Sequence, residues 1–289
     1  MYHVDNAVIM AAGASSRFAP LSFERPKALV TVKGEVLIER QIRQLYEAGI
    51  KTIYVVAGYK AEQLQYLENK YGVQILYNSE YTFRNNHSSI FFAKEVIKNT
   101  YICSADNYFI NNPFETAVDE SYYAALYAPD HTKEWCMHTD EEGYINRVEI
   151  GGKKAWYMMG HSFWSEDFSR RFIKILEDVY MKPETKKLFW EDILRYNLKD
   201  LRMKVRQYPE NYIFEFDSID ELRQFDNSYV SDTRSTILKK IANQLRCTEA
   251  DITSIYASEG PGSVATGIKF LCGEQEYEYM YSEGIIKRV

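Results

Sequence analysis

The chain has 289 residues, of which 46% are hydrophobic and 26% charged, and its net charge is −6. This length suits one large α/β domain with a small addition, and the acidic balance argues against broad nucleic-acid binding, which needs a basic face. The four cysteines form no C-x-x-C pair, so neither a zinc site nor a disulfide framework is predicted. No apolar run approaches the ~20 residues of a membrane span. Because the N-terminus also lacks a signal-peptide pattern, we expect a cytoplasmic protein.

The first hundred residues alternate between strand and helix patterns. Short apolar runs predict strands at residues 7–12, 52–57, 73–77 and 100–105. Helical spacing of apolar residues, closed twice by glycine, predicts helices at residues 38–48, 61–71 and 88–98. This β-α-β order predicts an α/β fold with a mostly parallel, Rossmann-like open sheet and right-handed crossovers.

The middle of the chain changes to an antiparallel pattern. Strands are predicted at residues 122–127, 135–139, 144–150 and 155–164, with a turn at Glu141-Glu142-Gly143. Helices follow at residues 167–180 and 186–196, and a last strand at 212–216 ends at Asp217. We expect these strands to be antiparallel additions to the parallel sheet.

The composition shifts again near residue 228. An amphipathic helix at residues 236–245 is followed by Gly260, Pro261 and Gly262 and then by a tyrosine-rich, strand-like tail. We therefore predict a first domain at residues 1–230 and a small C-terminal module at residues 231–289. Since all candidate site residues precede the module, a chain that ends near Asn227 is expected to stay soluble and active.

The strongest functional signal is a turn of small residues directly after the first strand. Backbone N–H groups of such a turn can approach a phosphate closely, and nearby cations can neutralise phosphate charge. The candidate nucleotide-binding residues are Ala11, Ala12, Gly13, Ala14, Ser15, Ser16, Arg17 and Lys27. The chain has neither the G-x-x-x-x-G-K-[ST] loop of Walker-type enzymes nor a G-x-G-x-x-G after its first strand, which argues against those two classes.

Two aspartates follow short strands and are candidate Mg²⁺ ligands. Asp106 and Asp217 would lie at the carboxyl edge of the sheet, where ligands bind in open α/β folds. Mg²⁺ often takes one or two carboxylates together with phosphates. The alternative is that each aspartate caps a helix, which is the more serious possibility for Asp217.

A polar segment around residue 87 has two interpretations. Asn86 and Ser88 either cap the helix that follows or bind the base or the acceptor, because amide and hydroxyl groups both donate and accept hydrogen bonds. His87 is not expected to be catalytic, since an ionised acceptor phosphate needs no strong base.

These segments resemble a known superfamily. Residues 11–17 followed by Pro20 and Pro26-Lys27 resemble the signature of pyrophosphorylase-like nucleotidyltransferases. Within that superfamily the chain most resembles bacterial CTP:phosphocholine cytidylyltransferases, on segments such as Ser104-Ala105-Asp106-Asn107-Tyr108 and Phe189-Trp190-Glu191-Asp192. The C-terminal module faintly resembles the start of a choline-kinase-type N-lobe, but no catalytic lobe follows, so kinase activity is not predicted.

The resemblance implies a nucleotide-diphospho-sugar-transferase-like fold and a Mg²⁺-dependent reaction in which CTP and phosphocholine give CDP-choline and pyrophosphate. It implies catalytic roles for Arg17, Lys27 and Asp106, and Mg²⁺ binding by Asp106 and Asp217. The acceptor would be bound by aromatic faces, which attract a trimethylammonium group, and by polar groups; the residues concerned are Asn86, Trp135, Trp190 and Glu191.

Several alternatives stay open. The acceptor could be phosphoethanolamine, 2-aminoethylphosphonate or a sugar 1-phosphate, and an inactive nucleotide-binding sensor on the same fold is the non-enzymatic alternative. Retention of the candidate charged residues argues against the sensor. The sequence is also compatible with a homo-oligomer.

Overall fold

Four parallel strands come from the first part of the chain: β1 (Asn6–Ala11), β2 (Ile53–Ala57), β3 (Gln74–Tyr77) and β4 (Thr100–Ser104). In the computed structural model, which describes residues 1–258 and 265–289, they lie side by side in the order β4-β1-β2-β3. Five of the six residues of β1 are buried, as expected for a parallel strand covered on both faces. All four predicted strands are therefore confirmed to within two residues.

Three further strands complete a seven-stranded sheet: β5 (Tyr122–Thr139), β6 (Ile145–Trp164) and β7 (Lys204–Gln207). The order is β7-β5-β6-β4-β1-β2-β3. β6 pairs antiparallel with β5 and β4, which confirms the antiparallel additions. The four predicted middle strands are segments of the two long, irregularly paired strands β5 and β6. β7 is parallel to β5 and was not predicted, because its sequence KVRQ contains only one apolar residue.

Helices pack around this sheet at Leu37–Glu47, Tyr66–Tyr71, His87–Ala93, Glu166–Tyr180 and Trp190–Tyr196. The predicted helix at residues 61–71 is divided into a 3₁₀ turn, Ala61–Gln63, and a helix that ends at Gly72, whose φ is +72°. The predicted helices at residues 88–98 and 186–196 are shorter than expected. The predicted strand at 212–216 is a two-residue strand, Ile213–Phe214, which pairs with Tyr108–Phe109 outside the central sheet.

The longest helix shows how the core beside the sheet is built. Ser165 caps it by accepting a hydrogen bond from the backbone of Phe168. Its buried residues Phe168, Phe172, Leu176 and Tyr180 recur every four positions and form one apolar stripe. Trp164 and Trp190 belong to the same hydrophobic cluster.

The chain divides into two compact units. The first contains Met1–Ala12 and Glu39–Glu215, and the second contains Gly13–Ile38 and Phe216–Val289. The second unit therefore combines the phosphate-loop segment with the C-terminal region, and it differs from a simple division at residue 230.

The second unit contains helices at Leu21–Glu24, Ile219–Phe225, Ser228–Ser231 and Thr236–Leu245. Its antiparallel sheet consists, in spatial order, of Ile252–Ser258, Gly267–Cys272, Gln275–Met280 and Ile285–Arg288. The helix at residues 236–245 is confirmed at its predicted bounds. The predicted turn at Gly260–Pro261–Gly262 lies outside the described residues. No helix in the described part of the chain is long and apolar enough to cross a membrane.

Candidate active site

The small-residue loop follows β1 as the sequence predicts. Ala11 ends the strand, and residues 12–15 belong to neither helix nor strand. Ser15 has a φ of 48° and begins a 3₁₀ turn at Ser16–Phe18. A Cβ atom on Gly13 would meet no described atom within 4 Å, and the φ of Gly13 is not in the left-handed region. Since neither local packing nor backbone conformation requires this glycine, the open space beside it is suited to a closely approaching ligand.

Three charged side chains meet in the second unit. Nη1 of Arg17 lies 2.5 Å from Oδ2 of Asp217, and Nζ of Lys27 lies 3.8 Å from Oδ1 of the same carboxylate. Lys27 is buried, with 5% of its side chain exposed, whereas 76% of the Arg17 side chain is exposed. The structure thus brings the predicted site residue Asp217 together with Arg17 and Lys27, which precede it by 200 and 190 residues.

Helix capping does not explain Asp217. The cap of the helix Ile219–Phe225 is Ser218, whose hydroxyl accepts a hydrogen bond of 3.2 Å from the backbone of Glu221. The carboxylate of Asp217 is directed instead to the two cations. This arrangement rules out the capping alternative for Asp217 and leaves a role in charge balance or metal binding.

The first unit places Asp106 in a turn directly after β4, and no helix begins there. Its neighbour Asn107 is buried and donates a hydrogen bond of 3.3 Å from Nδ2 to Glu215. Oδ1 of Asn107 is buried without a hydrogen-bond partner in the described part of the chain. The turn therefore presents a carboxylate beside an unsatisfied amide oxygen, which are the oxygen donors that Mg²⁺ prefers.

No group of three or more His, Cys, Asp or Glu side chains arranged for a metal occurs among residues 1–258 and 265–289. A site of that size is not needed for Mg²⁺, which usually combines one or two carboxylates with water and substrate phosphates. The chemistry of the donors Asp106 and Asp217 fits such an ion.

A partly buried carboxylate marks a second region of the first unit. Oε2 of Glu191 accepts a hydrogen bond of 3.2 Å from Asn86, and Oε1 accepts one of 3.1 Å from the hydroxyl of Tyr123. Burial raises the pKa of Glu191 to about 7, although these hydrogen bonds act in the opposite direction. Burial and the neighbouring Glu191 raise the pKa of Tyr123 well above its ordinary value, so Tyr123 remains a donor. Tyr123 was not predicted, because an isolated tyrosine in an apolar strand carries no distinguishing pattern.

Trp135 packs against the helix that carries Glu191. Its ring centroid lies 5.9 Å from that of Phe189, and the guanidinium carbon of Arg195 lies 5.1 Å from its centroid. Arg195 is paired with Asp192 at 2.8 Å. One face of the Trp135 ring therefore already attracts a cation, and the ring is only partly buried.

Two other predicted site residues, Trp190 and Ser88, have side chains that are buried among other residues of the protein. Trp190 is 1% exposed, and its ring stacks on Tyr123 with centroids 5.4 Å apart. Ser88 is 1% exposed; its hydroxyl donates to the carbonyl of Asn85 and accepts from Asn78, each at 2.8 Å. These contacts make Trp190 a support for Tyr123 and make Ser88 part of the first turn of its helix.

Comparison with known proteins agrees with this geometry. Residues 7–139 match the family described as MobA-like NTP transferase domain. The chain is 34% identical over 220 residues to a choline-phosphate cytidylyltransferase of Streptococcus pneumoniae, which covers 76% of this chain and 96% of that protein. It is 36% identical over 234 residues to a 2-aminoethylphosphonate cytidylyltransferase of Lancefieldella rimae, which covers 80% and 95%. The solved structure of CTP:phosphocholine cytidylyltransferase from Streptococcus pneumoniae superposes with a TM-score of 0.75 at 33% identity, covering 78% of this chain and 99% of that one.

Fold and site together define a nucleotidyltransferase with the nucleotide-diphospho-sugar transferase fold, as the sequence predicts. The chain belongs to the family of bacterial CTP:phosphocholine cytidylyltransferases and their relatives. About a quarter of it has no counterpart in the matched Streptococcus pneumoniae protein.

Proposed function

We propose that this protein transfers the cytidylyl group of CTP to phosphocholine and releases pyrophosphate. The observation that carries the choice of acceptor is that Trp135 and Glu191, which are far apart in the sequence, are brought to the same helix, Trp190–Tyr196. An aromatic face and a carboxylate are the two groups that attract a quaternary ammonium, which cannot donate N–H hydrogen bonds.

The proposed reaction is a single displacement. An oxygen of the acceptor phosphate forms a bond to the α-phosphorus of CTP while the bond from that phosphorus to the pyrophosphate oxygen breaks. Arg17 and Lys27 neutralise the charge that develops on the phosphates, and the turn at residues 12–16 supplies backbone N–H donors. Positioning and electrostatics supply the catalysis without a covalent enzyme intermediate.

Asp106 and Asp217 are the proposed ligands of Mg²⁺, which when bound supplies positive charge to the nucleotide phosphates. Asn107 adds an amide oxygen beside Asp106 that has no hydrogen-bond partner in the described residues. Asp217 has a second role in the proposal, because its carboxylate orients Arg17 and Lys27.

A second acceptor, 2-aminoethylphosphonate, is favoured by one observation. The relative that acts on it, by name, is 36% identical over 80% of this chain, and a carboxylate such as Glu191 also pairs well with a primary ammonium. In that case the carboxylate would contribute more to binding than the Trp135 ring.

The deciding experiment compares kcat/KM for phosphocholine, phosphoethanolamine and 2-aminoethylphosphonate, with CTP as donor and pyrophosphate release as readout. We expect phosphocholine to be preferred, and Trp135→Ala to lower its kcat/KM by about 2- to 30-fold, corresponding to ~0.5–2 kcal/mol for one cation–π contact. Trp156→Ala is the matched control, since Trp156 packs on Tyr127 with centroids 5.3 Å apart. A preference for a primary amine that Trp135→Ala leaves unchanged would assign the chain to the second acceptor.

A further inference from the structure

The C-terminal region of the second unit is fastened to the segment that carries Lys27. Glu24 provides the first attachment: its Oε1 accepts hydrogen bonds from the Ser235 hydroxyl at 2.7 Å and from the backbone of Ile237 at 2.9 Å. Its Oε2 accepts from the backbone of Thr236 at 3.2 Å. A side chain near the start of the chain thus satisfies the unpaired N–H groups that begin the helix Thr236–Leu245, and its negative charge suits that end of the helix dipole.

A second attachment lies on the other side of Lys27. The carbonyl of Thr31 accepts hydrogen bonds from the hydroxyl of Tyr229 at 2.6 Å and from the guanidinium of Arg234 at 3.0 Å. The backbone N–H of Lys33 donates to Asp226 at 2.7 Å. The segment from Glu24 to Lys33 is therefore held at both of its ends by residues that follow position 225.

Buried hydrogen bonds within the C-terminal region hold the residues that make these attachments. Arg223 is 8% exposed and donates to the carbonyls of Glu249 and Ile252, each at 2.6 Å. Ser235 is fully buried, and Thr233 beside it is buried and bonded to Glu249. Hydrogen bonds in such an environment are costly to break, because the buried partners would remain unsatisfied.

We infer that the C-terminal region is a positioning element for Lys27, and that Glu24 and Ser235 are positioning residues for the nucleotide phosphates. Lys27 follows Glu24 by three residues and lies 3.8 Å from Asp217, so displacement of Glu24 shifts the buried ammonium relative to its partner. Displacements of about 1 Å at a reacting centre can lower rates ~10²-fold. This inference rests on the proposed function and replaces the expectation that a chain ending near Asn227 stays active.

The test uses the full-length protein with Glu24→Gln, Ser235→Ala and the double variant. Thr248→Ala is the matched control, because among residues 1–258 and 265–289 the Thr248 hydroxyl bonds within its own turn, to Asp251 at 2.7 Å. Steady-state kinetics give KM separately for CTP and for the phosphorylated amine, calorimetry gives the Kd for CTP, and thermal unfolding gives Tm.

We expect Glu24→Gln and Ser235→Ala each to lower kcat/KM for CTP about tenfold while KM for the amine stays the same. The loss in the double variant should be smaller than the two single losses combined, because both substitutions affect the same Glu24–Ser235 hydrogen bond. Thr248→Ala should lower Tm without changing kcat/KM for CTP.

Two outcomes separate this inference from the proposed function. If the wild-type protein releases pyrophosphate but both variants keep its kcat/KM for CTP, the positioning role is wrong and the proposed function stands. If the wild-type protein releases no pyrophosphate with any acceptor but binds CTP, the proposed function is wrong, and the Kd for CTP of the variants decides the inference. A wild-type protein that neither reacts nor binds CTP would overturn both.

Discussion

The two groups of candidate site residues, one in each unit, handle charge in opposite ways. In the second unit, Arg17, Lys27 and Asp217 form a cluster of full charges, and most of the Arg17 side chain is exposed. In the first unit, Glu191 is surrounded by neutral donors, and burial raises its pKa to about 7. A polyanionic nucleotide requires several cations to balance its charge, whereas one small ammonium requires a single carboxylate.

The largest expected effect comes from the proposed metal ligands. We predict that Asp106→Asn reduces turnover to background while the fold is retained, because the amide removes the negative charge that a divalent cation requires. The measurement is pyrophosphate release over a Mg²⁺ titration, with Mn²⁺ binding followed by electron paramagnetic resonance. Asp178→Asn, an exposed change on the helix Glu166–Tyr180, is the control. Near wild-type turnover and Mn²⁺ binding by Asp106→Asn would exclude Asp106 as a ligand.

The next effect concerns the buried cation of the nucleotide segment. We predict that Lys27→Ala lowers kcat/KM by about 10²–10³-fold, the usual cost of removing a preorganised group from developing charge. Steady-state kinetics check this value, with the exposed Lys182→Ala as a control. If Lys27→Ala lowered only Tm, Lys27 would serve only to neutralise Asp217 inside the fold. The contrast between the charged cluster and the region around Glu191 would then be wrong.

The candidate nucleotide residues form a more local sequence pattern than the candidate acceptor residues, and the reason is physical. A phosphate is bound by consecutive backbone N–H groups, so residues 11–17 and Lys27 form a local pattern that follows one buried strand. The parallel strands around it are equally local, since each is a short apolar run.

The candidate acceptor residues have no such pattern. Asn86, the strand β5 with Tyr123 and Trp135, and Glu191 come from three distant parts of the chain and meet only through tertiary packing. Trp190 and Trp135 look alike in the sequence, yet Trp190 is 1% exposed and stacks on Tyr123. Burial decides which aromatic ring can face a ligand, and burial depends on partners that local spacing does not specify.

Sequence patterns also do not predict the attachment of the C-terminal region to Glu24. The change in composition near residue 228 is real, but Glu24 and Ser235 are separated by 211 residues, and a single carboxylate among exposed charges gives no sign of capping a distant helix.

The smallest predicted effect tests the partly buried carboxylate, through Glu191→Gln. Only the ionised form of Glu191 attracts an ammonium, so the wild-type KM for phosphocholine should rise as pH falls through about 7, toward a limit about tenfold higher that the neutral side chain gives. The variant should have an approximately tenfold higher KM at pH 8 and approach the wild-type KM at pH 6. Because the acceptor phosphate titrates equally in both assays, the ratio of the two KM values isolates the contribution of Glu191.

The difference in stability between wild type and Glu191→Gln depends on pH in the opposite direction to the acceptor affinity. The folded-state pKa of Glu191 is raised above its model-peptide value near 4.5, so the folded protein binds this proton more tightly than the unfolded chain does. The stabilising contribution is therefore complete at low pH and is lost as pH rises through about 7. We expect Glu191→Gln, which is neutral at every pH, to have a higher Tm than wild type at pH 8 and the same Tm near pH 5.

A variant that is more stable yet binds the acceptor more weakly at pH 8 would mark Glu191 as a group retained for binding. Equal KM values at pH 8 would instead show that the acceptor does not contact this carboxylate. The proposed contrast in charge between the cluster around Lys27 and the region around Glu191 would then be wrong.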